Sequence, residues 1–511
     1  MSNSIKNDRI AKNTFLLYAR MLFVMAINLY TSRVVLDALG VVDYGLYNVV
    51  GGIVMMFTFI STAMSNSTLR FITYSLGKYG SDRLMLVFNT SVFIHLTIAV
   101  LILILAETIG LWLLYNKMVI PEERFFAAQW VYQFSILSCM SSIIVVPYIS
   151  LIKAHEKMSA FAFISVVDVV LRLFIAFVIQ WAGFDQLILY AFLLLCIHIM
   201  DIALYGFYCK RHFEESSFSF TIDNPLLKEM TGFAGWSLVG NLAWMGYTQG
   251  LNILLNMFFG PAVNAARGVA VQVQNAVKGF VTNFQTAINP QITKSYATGD
   301  LYRVRTLIFS GSKISYYLLL LFVVPLILEA DTVLSLWLKE VPVHTVNFLR
   351  LILMVLLIEP LSNPIGIANN ATGDIKRYQI IEGGLLLFIV PFSYILLKNG
   401  LSPETVFVVQ FVISFFVQFV RILLVQYKLD IRLGDYCKDV LLPILVVTIV
   451  SSAPPFILCR VMHNGIFETT IVIVVAFASV AVSAYLVGLN KRERAFVMEK
   501  AKSVLHRVKK K

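Results

Sequence analysis

Asn264, Arg267, Asn275, Lys278, Thr282, Gln285 and Asn289 recur at helical spacing through one long hydrophobic segment. On a helix that spacing draws a single wet, cationic stripe down one side. Two fixed positive charges inside a membrane helix are expensive unless they face water or an anion. The chain is therefore expected to enclose a cavity suited to a negatively charged cargo. Arg267 and Lys278 would stand about 16 Å apart at 1.5 Å per residue, enough to span a diphosphate and its first sugars or to mark two stations on a path. The preceding segment adds Asn241, Thr248, Asn252 and Asn256, again at helical spacing, and the first half offers Asn13, Arg20, Asn28 and Thr31. Amides and hydroxyls suit sugar hydroxyls, whereas a guanidinium offers paired donors to phosphate. Snorkelling is the competing account of Arg20, whose charge could simply reach the interface.

Acidic residues inside apolar segments are candidates for coupling or gating. Asp168 and Arg172 lie one turn apart and read first as a neutralising intrahelical pair; His198 and Asp201 share a face nearby. Glu359 precedes Pro360, with Asn363 and Pro364 following, so a broken helix is expected there, and freed backbone groups must line a cavity or protein. Glu359 is the leading candidate for coupling to a cation, H+ or Na+, and Glu382 a weaker one. Arg421 with Gln418 is expected to anchor its helix.

These residues need spans to hold them. Of 511 residues, 59% are hydrophobic and 14% charged, with a mean hydropathy of +0.80. A soluble domain of this size would be more polar, so the fold class is an all-α polytopic membrane protein. Fourteen transmembrane helices are expected, at about 13–37, 43–67, 84–110, 125–150, 159–182, 187–208, 233–259, 263–289, 305–330, 345–369, 376–398, 404–427, 438–460 and 468–489. Twenty-eight Lys and Arg fall at one set of ends, against Lys117, Arg124, Lys339, Lys398 and Arg460 at the other. Positive loops stay in the cytoplasm, which places both termini there. The net charge of +12 thus follows from orientation rather than nucleic-acid binding. The first span is too long for a signal peptide's apolar region and is expected to be retained. The connector Cys209–Thr231 reads as amphipathic, with Phe213, Phe218 and Phe220 against Glu214 and Glu215. Tyr44, Tyr47 and Trp112 fall where an aromatic belt is expected.

Positions about 220 residues apart match. Gly40 recurs as Gly260, Thr62 as Thr282, Ile72-Thr73-x-Ser75 as Ile292-Thr293-x-Ser295, and Leu111-Trp112-Leu113 as Leu336-Trp337-Leu338. The organisation expected is a six-helix bundle with a cytoplasmic connector (1–230), a related six-helix bundle (231–430), two additional helices (431–490) and a basic tail (491–511). The bundles would be parallel repeats, an arrangement in which transporters place the substrate between the halves.

The string from Arg33 to Tyr47, with Leu39-Gly40 and Tyr44-Gly45-Leu46-Tyr47, resembles the opening motif of the Wzx-type polysaccharide flippases. Phe259-Gly260-Pro261, Asn289-Pro290-Gln291 and Gly299-Asp300 are similar to the wider superfamily of multidrug antiporters and the lipid II flippase. The resemblance implies a pair of six-helix bundles that moves lipid-linked oligosaccharide repeat units, carried on undecaprenyl diphosphate, across the bacterial inner membrane by alternating access. Its substrate-binding residues would be Arg267, Lys278, Arg20, Asn275, Asn252 and Gln285; its coupling or gating residues Glu359, Asp168, Arg172 and Asp201. Its other partners would be membrane lipids, with no cofactor and a monomeric chain. A cation-coupled multidrug exporter is the alternative, disfavoured by the absence of Asp and Glu from the 264–289 stripe. A polysaccharide polymerase would need a large external loop. No phosphate loop, HExxH or GxSxG motif is present, so no enzyme activity is expected, and the five scattered cysteines suggest neither disulfides nor zinc.

Overall fold

The computed structural model describes residues 2–490 and 493–494, apart from 56–57, 80, 117–119, 182, 218–222, 339–340 and 463–464. Lys117, Lys339, Phe218, Phe220 and the tail residues Lys491, Arg492 and 495–511 lie outside that set. The first half comprises α1 (Ser2–Met55), α2 (Phe59–Lys78), α3 (Ser81–Leu105), α4 (Leu111–Asn116), α5 (Phe125–Ile144), α6 (Val146–Ala154), α7 (Met158–Val178) and α8 (Gln186–His212). The second comprises α9 (Asn224–Phe259), α10 (Pro261–Ala297), α11 (Leu301–Leu328), α12 (Ala330–Trp337), α13 (Thr345–Leu356), α14 (Glu359–Thr372), α15 (Lys376–Leu387), α16 (Ile389–Lys398) and α17 (Thr405–Leu429). The short α18 (Leu433–Tyr436) leads to α19 (Leu442–Val461) and α20 (Ile466–Ser483). Among the described residues the ordered structure is helical throughout, as lipid demands of a chain that must bond its backbone within itself.

Eleven helical stretches are long and apolar enough to cross a membrane, from Leu16–Gly40 to Ile466–Gly488. The expected count of fourteen goes beyond this set. The stretches 233–259 and 263–289 are helical but carry enough polar side chains to fall outside it, and 43–67 includes residues 56–57, which lie outside the described set. Many large apolar side chains, among them Trp112, Phe163, Phe174, Phe207 and Phe416, point outward, as expected of a surface solvated by lipid.

Two compact units divide the chain, 1–238 and 239–511. The division falls inside α9, because the first turns of that helix are tied to α2. Ser67 donates to the Met230 carbonyl at 3.0 Å, Phe71 meets Phe233 edge-on at 5.9 Å, and Arg70 faces Glu229 at 3.9 Å. The expected loop between Cys209 and Thr231 is correspondingly short. Helix α8 runs to His212, and α9 already begins at Asn224. Phe213 and Glu215 in this turn are buried rather than interfacial, with Glu215 2.6 Å from His155.

In unit 2, α19 and α20 pack on α11. Tyr316 bonds Thr448 at 3.0 Å, Phe322 meets Phe477, and Tyr317 donates to the Gly488 carbonyl. Past the last helix, Glu493 reaches the buried Lys313 at 2.9 Å.

The repeat is visible in backbone geometry. Gly40 interrupts α1 at φ 73°, ψ 170°, and Gly260 separates α9 from α10 at φ 79°, ψ −175°. Both lie at positive φ, where a side chain is strained. The ends opposite the basic loops repeat too. Arg124 binds Asp185 at 2.6 Å in unit 1, and His344 binds Glu404 at 2.6 Å in unit 2, each partner displaced by about 220 residues from its counterpart. Arg124 additionally holds Asp43. Tyr47, expected in an aromatic belt, instead packs inward on Tyr190 at 5.1 Å, while Trp112 is exposed.

Candidate functional site

In unit 1 the charged residues converge on one cavity of 380 Å³, lined by Arg20, Asn28, Ser165, Asp168, Arg172, Asp201 and Tyr205 over a floor of Val24, Val145, Ile149 and Val169. Arg172 donates from Nε to both Asp168 carboxylate oxygens at 3.0 Å, one turn away on α7. The pair anticipated from spacing is therefore formed. Its Nη2 also lies 3.5 Å from His198 Nε2, while His198 Nδ1 sits 2.8 Å from the Leu194 carbonyl. A carbonyl only accepts, so Nδ1 carries the proton and Nε2 is left to accept from the guanidinium. Asp201, on α8, faces the same cavity with one carboxylate oxygen unbonded.

Arg20 is half-buried. It lines the cavity, its guanidinium 4.6 Å above the Phe161 ring and its Nε without a hydrogen-bond acceptor. Lys153 approaches the same ring at 4.6 Å. Two cations thus share one aromatic ring, and the charge beside Arg20 is positive. Asn13 and Thr31, grouped with Arg20 in the sequence, are buried instead. Asn13 ties α1 to the Glu156 carbonyl at 3.3 Å. Of the four, Arg20 and Asn28 reach the cavity.

The unit 2 stripe runs down α10, but it does not stay wet. Asn275 and Thr282 are exposed, Arg267 and Lys278 half-buried, and Gln285 buried. Gln285 was expected to line a cavity with the others; here it is 6% exposed and its Nε2 is unbonded. Nearby on α10, Ile288 packs closely on α11. Gly311 admits Ile288 so tightly that an added Cβ would stand 3.1 Å from Ile288 Cδ1.

Arg267 donates to Asn252 Oδ1 and to the Thr248 carbonyl at 3.2 Å, both on α9, leaving Nε unbonded. Neutral oxygens are its partners; among the described residues no carboxylate pairs with it. Lys278 differs. Its Nζ stands 2.5 Å from Glu359 Oε1. The stripe itself has no acid, as the sequence shows, yet an acid from α14 neutralises one of its two cations. Glu359 opens α14 immediately after the interruption at Leu357–Ile358, so the helix break anticipated there exists.

Deeper in unit 2, buried Arg421 donates to Glu382 at 2.8 Å and to Gln418 at 3.2 Å. Gln418 donates in turn to the Leu361 carbonyl at 3.1 Å, so α17 is fixed to α14 and α15. Glu382, weighed as a coupling residue, is committed to this anchor. The sequence missed Arg124, Asp43 and Asp185 as a set; Arg124 at the poorly basic end was the available signal. No group of His, Cys, Asp and Glu among the described residues could hold a metal ion.

No family model and no curated protein matches this chain. Solved structures do. An outward-facing multidrug resistance MATE family transporter of the MOP superfamily aligns at a TM-score of 0.72 and 15% identity, over 83% of this chain and 96% of that one. A MATE structure in the straight conformation gives 0.70 and 15%, over 83% and 96%. A MOP superfamily transporter from Pyrococcus furiosus, described by a binding pocket of reversed polarity, gives 0.69 and 14%, over 82% and 96%. At this identity the likeness is one of architecture. The chain has the fold of the MATE transporters, an all-helical multi-pass membrane fold.

Proposed function

We propose that this protein is a flippase that moves undecaprenyl-diphosphate-linked oligosaccharide repeat units across the bacterial cytoplasmic membrane for O-antigen, capsule or exopolysaccharide synthesis. The observation carrying this reading is Arg267: a half-buried guanidinium bonded only to an amide and a carbonyl, with Nε unbonded. Such a charge inside a span is costly unless it meets water or a counter-charge, a cost that an anionic ligand offsets. Exposed Asn275 and Thr282 on the same helix offer hydrogen bonds to sugars. A diphosphate moving outward against a negative interior is driven by the potential itself, about 2.3 kcal/mol per charge per 100 mV. The reading takes fourteen crossings, both termini in the cytoplasm, and alternating access by the repeats. Deleting the gene from its host should abolish surface polymer; an undiminished polymer in a strain with no second flippase would overturn the proposal.

A second reading is a cation-coupled multidrug exporter. The MATE neighbours favour it, as do Asp168 and Asp201 in the unit 1 cavity. Against it, Arg20 and Arg172 line the same cavity and offset those carboxylates. A drug-susceptibility panel on the deletion strain separates the two: sensitisation with intact polymer supports the exporter.

A further inference from the structure

Two ion pairs of the same chemical type sit in unit 2 under opposite conditions. Arg421 and Glu382 are 10% and 18% exposed, held at 2.7 Å and bolstered by Gln418. Breaking such a pair strands a buried charge. Lys278 and Glu359 are 37% and 43% exposed, with a single contact at 2.5 Å. Pairs of that exposure contribute little, so an incoming ligand can open this one.

We propose that Glu359 and the anionic group of the substrate compete for the Lys278 ammonium. The inference rests on the function proposed above and adds how the site regulates access to one of its two cations. Arg267 is permanently available to an anion, because neutral oxygens hold it. Lys278 is available only when Glu359 lets go.

Three features make the release physically reasonable. Glu359 occupies the first turn of α14, where the helix dipole favours a negative charge, so the freed carboxylate keeps a stabilising environment. Both side chains are exposed enough for a ligand to reach them. Tyr247 on α9 lies within electrostatic reach of Glu359 and also of the Arg421–Glu382 pair from α17 and α15. Glu382 is already bonded by Arg421 and does not contend for the lysine.

The consequence is a linkage. Whatever removes the charge of Glu359, a proton in particular, hands Lys278 to the diphosphate. By reciprocity, a bound diphosphate weakens the hold of that carboxylate on the lysine. Substrate binding and cation binding would thus be coupled through one lysine.

The test uses the purified full-length protein in detergent, with undecaprenyl diphosphate as the probe and its affinity as the readout. Glu359→Gln should bind about two- to fivefold tighter than the parent, the gain available from a half-exposed rival. Glu359→Ala should shift affinity in the same direction, guarding against an effect peculiar to glutamine. Lys278→Gln should bind more weakly, and the Glu359→Gln, Lys278→Gln double variant should match Lys278→Gln alone. Unchanged or weakened binding by both Glu359 variants, with Arg267→Ala still impaired, would overturn the competition while leaving the substrate class standing. Failure of the parent protein to bind the probe would overturn the proposed function and the inference with it.

Discussion

Replacing Arg267 with alanine tests the central premise, because the structure separates its cost to folding from its cost to function. Arg267 donates to Asn252 and to the Thr248 carbonyl. After truncation Asn252 keeps its bond to Gln249 at 3.0 Å, and the carbonyl belongs to a helix that already includes it. No carboxylate is left uncompensated. The folding penalty is therefore that of one or two hydrogen bonds at a half-buried site, about 1 kcal/mol, partly returned by removing a charge that is costly to bury. Loss of a charged hydrogen bond to a diphosphate is worth about 1.5–3 kcal/mol, or roughly a 10- to 150-fold weaker interaction. Arg267→Ala should thus depress export of polymer strongly while leaving protein abundance and detergent elution unchanged. Arg267→Lys, which keeps the charge but loses the forked donors, should fall between. Surface polysaccharide per unit of membrane-inserted protein is the assay. Wild-type export by Arg267→Ala at matched abundance would refute the assignment of this residue to an anionic cargo.

Arg421→Ala should behave in the opposite way, costing about 3–5 kcal/mol by stranding Glu382 in the interior; a sharp fall in thermal midpoint and membrane abundance is the expected result. Gly260→Ala should cost roughly 1–2 kcal/mol, because a side chain is strained at φ 79°; Gly40→Ala should act alike, both read as a lower midpoint. At the end opposite the basic loops, burial pushes the Asp185 carboxyl up, but hydrogen bonds from Arg124 and from the Ile188 and Leu187 amides outweigh it and hold it below the usual carboxylate range. Its stabilisation is then present above about pH 3.9, the unfolded value, and is lost as pH falls through the lowered folded value. Asp185→Asn should lower the midpoint at neutral pH and flatten its acid limb.

Much of this protein is legible in its sequence because the relevant forces are local. Apolar length marks the spans, since a bilayer core requires a minimum run of residues. The Asp168–Arg172 pair follows from one turn of spacing, and the break before Glu359 follows from Pro360, which cannot donate to a preceding turn. Gly40 and Gly260 could be matched as a repeat because a positive φ restricts the residue type.

What only the tertiary structure decided is which of the buried charges have partners. Lys278 and Arg267 are equivalent along the stripe, yet Glu359 reaches one and neutral oxygens hold the other. Gln285 continues the stripe's period but is buried, and Tyr47 packs on Tyr190. Arg20 and Asp201 meet at one cavity from α1 and α8. Periodicity fixes the direction in which a side chain leaves its helix. Whether that direction holds lipid, water or a counter-charge depends on the neighbouring helices, and their placement follows from packing across long stretches of chain.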